Sequence, residues 1–590
     1  MFQQDLDPVG GSLTLSALVG AVPLLTLFIL LGGLRMKAWI AGVVSLAVSI
    51  VLAIFAFNMP TGQALLTAAE GAVFGFFPIM WIVINAIWVY NLTVASGHFD
   101  VLRRSFGRVS PDHRIQAIII AFCFGALLEA LAGFGTPVAI TVVMLLALGF
   151  EPIKAAATAL IANTAPVAFG ALAVPITTLA TVSSGVNDSP RLTVDTLGAM
   201  VGRQTPLLAV VVPLILVFVV DGKRGLKQTW LPALVAGVVF GLAQFVASNY
   251  ISVPLTDIVA SLVAAASIVL LLQVWKPAEE VVGEAPTGAE GAAGATGATG
   301  RSTGPKGTTA GPAVGAAPGQ QEGVAASVRD QARGGAATAV HDTPAEVTKA
   351  YLPYLVIIAL FSIANIPAVK EALSVEPWSL SFQWPGLDLR NTAGEPLSSM
   401  TFNFNWLPAA GTLMIIAGII TALILKISPA RMLKTYGATY HELRWAIVTV
   451  MAVLGLAYVM NGSGQTTSLG VWLAGAGSAY VLLSPLLGWI GVAVTGSDTS
   501  SNALFGALQV QTAAKAGLDP VLMAAANSSG GVLGKMVSPQ NLAIAAAAVG
   551  MAGREGDIFR KVLGWSLVLL VLMAVIVVLQ STPVLGWMVP

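Results

Sequence analysis

The chain has few of the residues on which soluble enzymes, metalloproteins and secreted proteins depend. Only 10% of its 590 residues are charged, whereas an average soluble domain is about 25% charged. It has a single cysteine, Cys123, so no disulfide can form within the chain. Its four histidines, His98, His113, His341 and His441, all lie in predicted loops or at their edges. This placement argues against a histidine metal site and against a histidine proton relay within the membrane.

Signatures of nucleotide-driven and hydrolytic chemistry are missing as well. The sequence has no P-loop GxxxxGK[ST], no HExxH and no GxSxG pattern. Its net charge is only +1, which gives no reason to expect a nucleic acid or another polyanion as a partner. We therefore expect neither an enzyme nor a chain with a cofactor or a metal.

Apolar residues, in contrast, are abundant. They make up 56% of the chain, and the mean hydropathy is +0.84. A helix needs about 20 apolar residues to cross a bilayer. The N-terminal MFQQDLDPVGG has no basic region, so we expect the first apolar run to be a retained span and not a cleaved signal. Ten apolar runs are candidate spans: 14–34, 37–57, 69–95, 206–220, 230–249, 255–275, 350–366, 407–426, 442–461 and 562–581.

Basic loops predict the orientation of these spans, because Lys and Arg in short loops favour the cytoplasmic side. All five basic loops can be cytoplasmic only if two interrupted apolar regions each form a re-entrant hairpin followed by one crossing. The fold predicted is an all-α polytopic membrane protein of about twelve transmembrane helices and two re-entrant hairpins. Both termini and residues 367–406 are then outside. The five loops are Arg35/Lys37, Arg103/Arg104/Arg108/Arg114, Lys223/Arg224/Lys227, Lys426/Arg431/Lys434 and Arg554/Arg560/Lys561.

A linker divides the chain into two halves, 1–275 and 350–590. Residues 276–349 are rich in Gly, Ala, Thr and Pro and nearly lack aromatic residues. Such a composition buries too little apolar surface to offset the entropy lost on ordering. We expect a disordered cytoplasmic linker.

The two interrupted regions resemble each other. The first has a hairpin at about 115–149 and a broken helix at about 151–183; the second has them at about 470–516 and 519–550. By the loop charges the two units have opposite orientation, so they are predicted to be inverted-topology repeats. Equally spaced residues follow an acidic-Pro pair in each unit: Glu151-Pro152, Asn163, Gly170 and Pro175 in the first, and Asp519-Pro520, Asn527, Gly534 and Pro539 in the second.

Paired interrupted helices indicate the central site of a transporter. Unwound backbone within the membrane costs several kcal/mol per unpaired group unless it lines a cavity or binds something. The alternative, that these residues are only kinks and close-packing points, stays open.

Polar residues near the hairpin tips, 133–137 and 496–502, suit a small carboxylate. Helix N-termini near Thr136 and Ser501 supply backbone N–H groups that attract anions, and hydroxyl and amide groups can bond carboxylate or hydroxyl oxygens. The expected substrate-binding residues are Gly133, Gly135, Thr136, Pro137, Asn163, Thr164, Gly496, Thr499, Ser500, Ser501, Asn502, Asn527, Ser528, Ser529 and Lys535.

Three charged residues fall deep within predicted spans, where a charge costs roughly 2.5–3.5 kcal/mol. Lys535 is the candidate cation for a substrate carboxylate, and Glu129 and Asp498 are the candidate proton carriers. Two structural alternatives remain open: an ion pair between Lys535 and Asp498, and a protonated Glu129 packed within its hairpin.

Four sequence runs resemble the bacterial L-lactate permease family: FGALLEALAGFGTPVAI (124–140), IANTAPVAFGALAVPI (161–176), GSDTSSNALFGALQV (496–510) and ANSSGGVLGKMVSPQNLAIA (526–545). The likeness covers nearly the whole chain except the linker. It implies a secondary transporter of the cytoplasmic membrane that takes up lactate, and in several members glycolate, together with protons. The layout is also similar to the wider ion-transporter superfamily, which would make 133–137 and 496–502 the tips and 163–164 and 527–529 the breaks.

The function expected is therefore import of L-lactate, and also of D-lactate and glycolate, by proton symport. The expected partners are this small 2-hydroxymonocarboxylate, protons and the lipid bilayer, and a homodimer stays open. Alternatives are a sodium-coupled carrier of another small carboxylate and, from other classes, an anion channel or an intramembrane enzyme.

Overall fold

The computed structural model describes residues 1–34, 36–107, 109–133, 135–184, 186, 189–281, 342–364, 366–397, 400–551 and 554–590. The greater part of the predicted linker, 282–341, lies outside the described residues. Within the described part, nearly all regular structure is helical.

Apolar helices account for most of the chain before the linker. Several are extended by π-helical turns at Ile29–Gly33, Ala117–Phe124 and Ala247–Ile251, and the turn Gly75–Met80 leaves helical geometry at Phe77. The α-helices are α1 Leu13–Phe28, α2 Ala38–Phe55, α3 Thr61–Phe74, α4 Trp81–Ala95, α5 His98–Gly107, α6 His113–Gln116, α7 Gly125–Leu131, α8 Thr136–Ala147, α9 Pro152–Ala162, α10 Gly170–Ser183, α11 Val194–Val201, α12 Thr205–Val246 and α13 Thr256–Val274.

The chain after the linker is built in the same way. Its helices are α14 Pro344–Ala364, α15 Pro367–Leu373, α16 Ala410–Ile424, α17 Pro429–Ser463, α18 Gln465–Ala474, α19 Tyr480–Thr495, α20 Asp498–Ala516, α21 Pro520–Gly534, α22 Pro539–Ala548 and α23 Glu555–Gln580. Two pairs of short strands involve the segment between α15 and α16. The N-terminal β1 Phe2–Gln3 pairs in parallel with β3 Leu389–Arg390 of this segment, and β2 Leu380–Gln383 pairs antiparallel with β4 Thr401–Phe404 within it.

The helices confirm a polytopic membrane protein. Ten helices of the described part are long and apolar enough to cross a bilayer, or eleven if one bent pair counts as a span. One of the ten, Val194–Ile251, contains both runs 206–220 and 230–249 and leaves helical geometry at Asp221 and Gly222 between them. The expected count of twelve crossings stays a prediction.

Polar contacts divide the connecting segments into two groups. Arg191 pairs with Asp519 at 2.8 Å, and Lys370 pairs with Asp195 at 2.7 Å. These segments, with both termini, are the ones predicted to lie outside. The predicted cytoplasmic segments contact one another instead, as in the pair of Arg104 with Asp342 at 2.6 Å.

The first interrupted region is bent next to Asn163. Helix α9 ends at Ala162 with Asn163 as its C-cap, and the chain then bends by 62° before α10. Pro166 explains the end of α9, because proline donates no hydrogen bond and disfavours helix in the residue before it.

The second break was predicted at the wrong place. Helix α21 runs without interruption through Asn527, Ser528 and Ser529, and the chain leaves it only at Lys535–Val537, ahead of the N-cap Ser538. The physical reason is that no proline follows Asn527 until Pro539. In the second repeat the break thus lies between Gly534 and Pro539, whereas in the first it precedes Gly170, and only the non-helical residues 171–173 lie between Gly170 and Pro175.

Candidate functional site

A cavity of about 50 Å³ lies where the two interrupted regions meet. A water molecule needs roughly 10–15 Å³ of such space, so the cavity has room for a very small ligand. Both hairpins and both breaks contribute to its wall. Its lining includes Glu129, Gly133, Gly496, Asp498, Thr499 and Lys535 from the predicted site, and also Gly170, Ser497 and Gln540.

An ion pair in this wall connects the two repeats. Lys535 Nζ lies 2.5 Å from Glu129 Oε1, and both side chains are buried, with 8% and 4% exposed. Glu129 comes from α7 of the first hairpin and Lys535 from the second break. Two opposite charges at this depth stabilise each other, and removal of either would leave an uncompensated buried charge, at a cost of about 3–5 kcal/mol. The alternative left open by the sequence, an ion pair between Lys535 and Asp498, is wrong about the partner, because Lys535 pairs with Glu129.

The first break surrounds the Glu129 carboxylate. Asn163 Nδ2 donates to Glu129 Oε2 at 2.9 Å. A Cβ on Gly170 would lie 2.8 Å from Glu129 Oε1, so a larger residue here would displace the carboxylate from its present position. Ala171, Leu172 and Ala173 then have φ values of 45°, 59° and 59°, a left-handed turn that is costly for residues with a Cβ. Strain of this kind is concentrated at functional sites.

Asp498 forms a second acidic position in the same wall. Its Oδ2 accepts from Ser528 Oγ at 2.6 Å and from Asn502 Nδ2 at 3.4 Å. Its Oδ1 is buried and has no hydrogen-bond partner among the described residues. The carboxyl group can therefore still accept a hydrogen bond or hold a proton.

A chain of side-chain amides fixes the second tip. Asn502 Nδ2 donates to Pro175 O at 3.1 Å, which connects α20 to the first repeat. Asn527 Nδ2 donates to Asn502 Oδ1 at 2.9 Å, and Gln509 Nε2 donates to Asn527 Oδ1 at 3.1 Å. Asn502 and Asn527 are thus positioning residues, and Asn527 satisfies its amide without breaking its helix.

The other predicted residues lie away from the cavity wall. Gly135 packs against α22, where a Cβ would lie 2.3 Å from Ile544 Cδ1, and Thr136 and Pro137 begin α8 beside it. Thr164 donates to Ile161 O, and Ser501 to Gly488 O. Ser529 donates to Gln204 Oε1 at 2.7 Å, and Ser500 N donates to the Ser497 hydroxyl, because α20 begins at Asp498 and not near Ser501.

Two buried carboxyl groups were missed by the sequence reasoning. Asp257 and Glu70 fall near the first residues of the predicted spans 255–275 and 69–95, where a charged side chain is expected to reach water. The structure buries them, with 0% and 1% exposed. Asp257 Oδ1 accepts from Gln244 Nε2 at 2.9 Å, and the same amide reaches Ala165 O of the first break. Glu70 is buried because α3 begins at Thr61, eight residues before the predicted span.

Comparisons with known proteins identify the family of this chain. The family model described as L-lactate permease matches residues 16–584. The chain belongs to the L-lactate permease family. It is 40% identical to the L-lactate permease of Bacillus subtilis, over 100% of this chain and 99% of that one. It is also 40% identical to the glycolate permease GlcA of Escherichia coli, over 99% and 98% of the two chains.

The predicted family is thereby confirmed, and this member is a multi-pass membrane transporter and not an enzyme. Among solved structures, MtrF of Neisseria gonorrhoeae, described as one of a class of antimetabolite efflux pumps, is similar at a TM-score of 0.44. The two chains are 14% identical, with 87% of this chain and 83% of MtrF covered.

Proposed function

We propose that this permease imports L-lactate, and also D-lactate and glycolate, across the bacterial cytoplasmic membrane together with protons. The observation that carries the proposal is the buried Glu129–Lys535 pair in the wall of a small cavity between the two repeats. Relatives named for lactate and for glycolate support a two- or three-carbon 2-hydroxy acid as the substrate.

The substrate carboxylate would bind the Lys535 ammonium group, since a charge-assisted hydrogen bond is about twice as strong as a neutral one. Thr499, Ser497 and Gln540 line the same cavity and offer hydroxyl and amide groups to the 2-hydroxyl. The small volume favours short acids over dicarboxylates.

Coupling follows from competition for Lys535. While Glu129 is ionised, it occupies the ammonium group at 2.5 Å. When Glu129 takes up a proton, its charge is lost and Lys535 becomes available to an anion. Proton and lactate therefore favour the same loaded state, as symport requires. Asp498, whose Oδ1 is unpartnered among the described residues, is the alternative carrier.

The sorting of polar contacts into two faces supports the predicted topology. We propose that the face carrying both termini and residues 367–406 is outside, and that Arg104, Arg114 and Arg224 are cytoplasmic. The two interrupted regions would then be inverted repeats that alternate access to the cavity.

The experiment is uptake of radiolabelled L-lactate into proteoliposomes with an imposed pH gradient, acidic outside. We expect accumulation against the lactate gradient, a lactate-dependent proton flux, competition by D-lactate and glycolate, and little competition by succinate. Replacing sodium with choline should change nothing. Accumulation that follows a sodium gradient without proton movement would contradict the proposal in favour of a sodium-coupled carrier, and flux without saturation would favour a channel.

A further inference from the structure

A second and larger cavity, of about 200 Å³, lies on the face that carries the N-terminus and residues 367–406. It is bounded by α3 and α17 on one side and by the C-terminal ends of α10 and α20 on the other. Polar residues from seven segments line it, among them Gln4, Glu70, Asn391, Thr467, Gln511 and Lys515. The central site uses none of these side chains.

Glu70 is the acidic group of this outer cavity. Its side chain is only 1% exposed, and its Oε1 is buried without a hydrogen-bond partner among the described residues. Helix α3 cannot easily move it, because the neighbouring Gly71 packs directly on α17, where a Cβ would lie 2.6 Å from Leu454 O. An ionised carboxylate held in this way lacks the compensation that buried charges normally have.

The other polar groups of the outer cavity leave an acceptor free as well. Gln511 Nε2 donates to Thr467 Oγ1 at 3.0 Å, and Thr467 donates to Gln4 Oε1 at 3.2 Å. Gln511 Oε1 is buried and unpartnered within the described part of the chain. Glu70 and Gln511 therefore each bring an unsatisfied acceptor oxygen to the same cavity. A proton bound to the Glu70 carboxylate would turn one of these acceptors into a donor.

The charged and titratable neighbours of Glu70 are few. Helix α17 presents Tyr458 and α20 presents Lys515, whereas α2 and the turn Gly75–Met80 have no titratable residue. On the strand segment, Arg390 is 3.7 Å from Asp388 and donates to Gly394 O. Lys515 is exposed, so bulk solvent reaches the rim of the cavity near Glu70.

One helix connects the outer cavity with the central one. Asp498 begins α20 at the central cavity, and Gln511 lies thirteen residues further along the same helix. At 1.5 Å per residue the two positions are about 20 Å apart. The outer cavity thus lies nearer the N-terminal face than the Glu129–Lys535 pair does, at the other end of the same helix.

We propose that Glu70 is a second proton-binding site, which takes up a proton from the outside solution on its way to the central carboxyl groups. The proposal rests on the proton-coupled function proposed above. Its chemistry is reversible protonation of one carboxylate, and it adds a titrating group whose access is from the outer face only.

The test is the dependence of lactate uptake on external pH at fixed internal pH, in right-side-out vesicles. In the wild type we expect the apparent KM for lactate to rise about tenfold per unit of external pH wherever proton uptake limits lactate binding. In Glu70→Gln this dependence should fall below about twofold per unit, while lactate counterflow and the internal-pH profile are retained. Glu371→Gln, which removes an exposed carboxylate on the same face, is the matched control and should behave as wild type.

The outcomes separate this inference from the proposed function. A wild type without lactate-linked proton flux refutes the symport itself. A wild type that couples protons, with a Glu70→Gln variant of unchanged external-pH profile, overturns only the role of Glu70. If Glu70→Gln loses counterflow as well, Glu70→Asp decides: a displaced external-pH profile supports the proposal, and an unchanged profile overturns it.

Discussion

The two interrupted helices share the same Gly and Pro spacing but differ in where they break and in the charge that they place at the cavity. In the first, Pro166 ends α9 early, and a left-handed turn at 171–173 brings Gly170 and Asn163 onto the Glu129 carboxylate. In the second, α21 continues past Asn527, and the shorter break presents Lys535. One repeat therefore holds the anion of the central pair and the other supplies the cation. Repeats of similar sequence can thus form a site that is not symmetric in charge.

Removal of the Glu129 charge, which belongs to the first repeat, should have the largest effect on lactate transport. Glu129→Gln resembles the protonated state and frees Lys535 permanently. We expect proton-driven accumulation to be abolished, while exchange of labelled for unlabelled lactate continues. Radiolabelled lactate uptake under an imposed pH gradient measures the first and counterflow the second. Accumulation at the wild-type level would exclude Glu129 as the proton carrier.

Removal of the Lys535 charge, which belongs to the second repeat, should affect lactate binding more than proton coupling. A hydrogen bond to a charged group contributes about 1.5–3 kcal/mol, so Lys535→Ala should raise the apparent KM about ten- to hundredfold. Lys535→Arg keeps the charge and should raise it less, because the guanidinium group is larger and forked. Uptake kinetics of both variants give the comparison, and equal KM values would remove Lys535 from the binding site.

Added methyl groups at the two equivalent glycines should separate function from folding. In Gly170→Ala the new Cβ meets the Glu129 carboxylate at 2.8 Å, and in Gly534→Ala it meets Trp489 O at 2.4 Å. We expect Gly170→Ala to weaken proton-driven accumulation relative to counterflow. Gly534→Ala should lower thermal stability in detergent by about 1–3 kcal/mol through overpacking. If both variants had the same profile, the two breaks would not differ in role.

The two asparagines should give the smallest effects, and unequal ones. Asn163→Ala removes a hydrogen bond to a buried carboxylate, worth about 1.5–3 kcal/mol, whereas Asn527→Ala removes neutral bonds worth about 0.5–1.5 kcal/mol each. We expect Asn163→Ala to shift the pH dependence of lactate uptake and Asn527→Ala to lower the maximal rate at an unchanged pH profile. A pH shift in Asn527→Ala alone would reverse the assignment.

The sequence was sufficient for the features that depend on composition and spacing. Apolar runs indicated the spans, and Glu129, Asp498 and Lys535 of the interrupted regions all line the cavity between the repeats. It was insufficient where tertiary packing decides. Lys535 pairs with Glu129 from a distant hairpin, and no local pattern encodes that choice. Asp257 and Glu70 looked like residues at span ends, because burial there depends on where neighbouring helices begin and fold back.

The break near Asn527 shows the limit of arguing from repeat spacing. Equal spacing of Asn, Gly and Pro suggested equal breaks, but a helix ends where its backbone loses a donor. Pro166 supplies that loss in the first repeat, and residues 528–538 contain no proline. The second repeat has no proline at the position equivalent to Pro166, and this difference is visible in the sequence. It would have predicted that the second helix continues past Asn527.

The most direct test of the central claim is the number of protons taken up when lactate binds. Isothermal titration of the purified permease with L-lactate, at a pH where Glu129 is ionised and in buffers of different ionisation enthalpy, measures this number. If Glu129 must release Lys535 before the anion binds, the wild type takes up one proton per lactate and Glu129→Gln takes up none. Binding without proton uptake in the wild type, or with the same uptake in Glu129→Gln, would contradict the account.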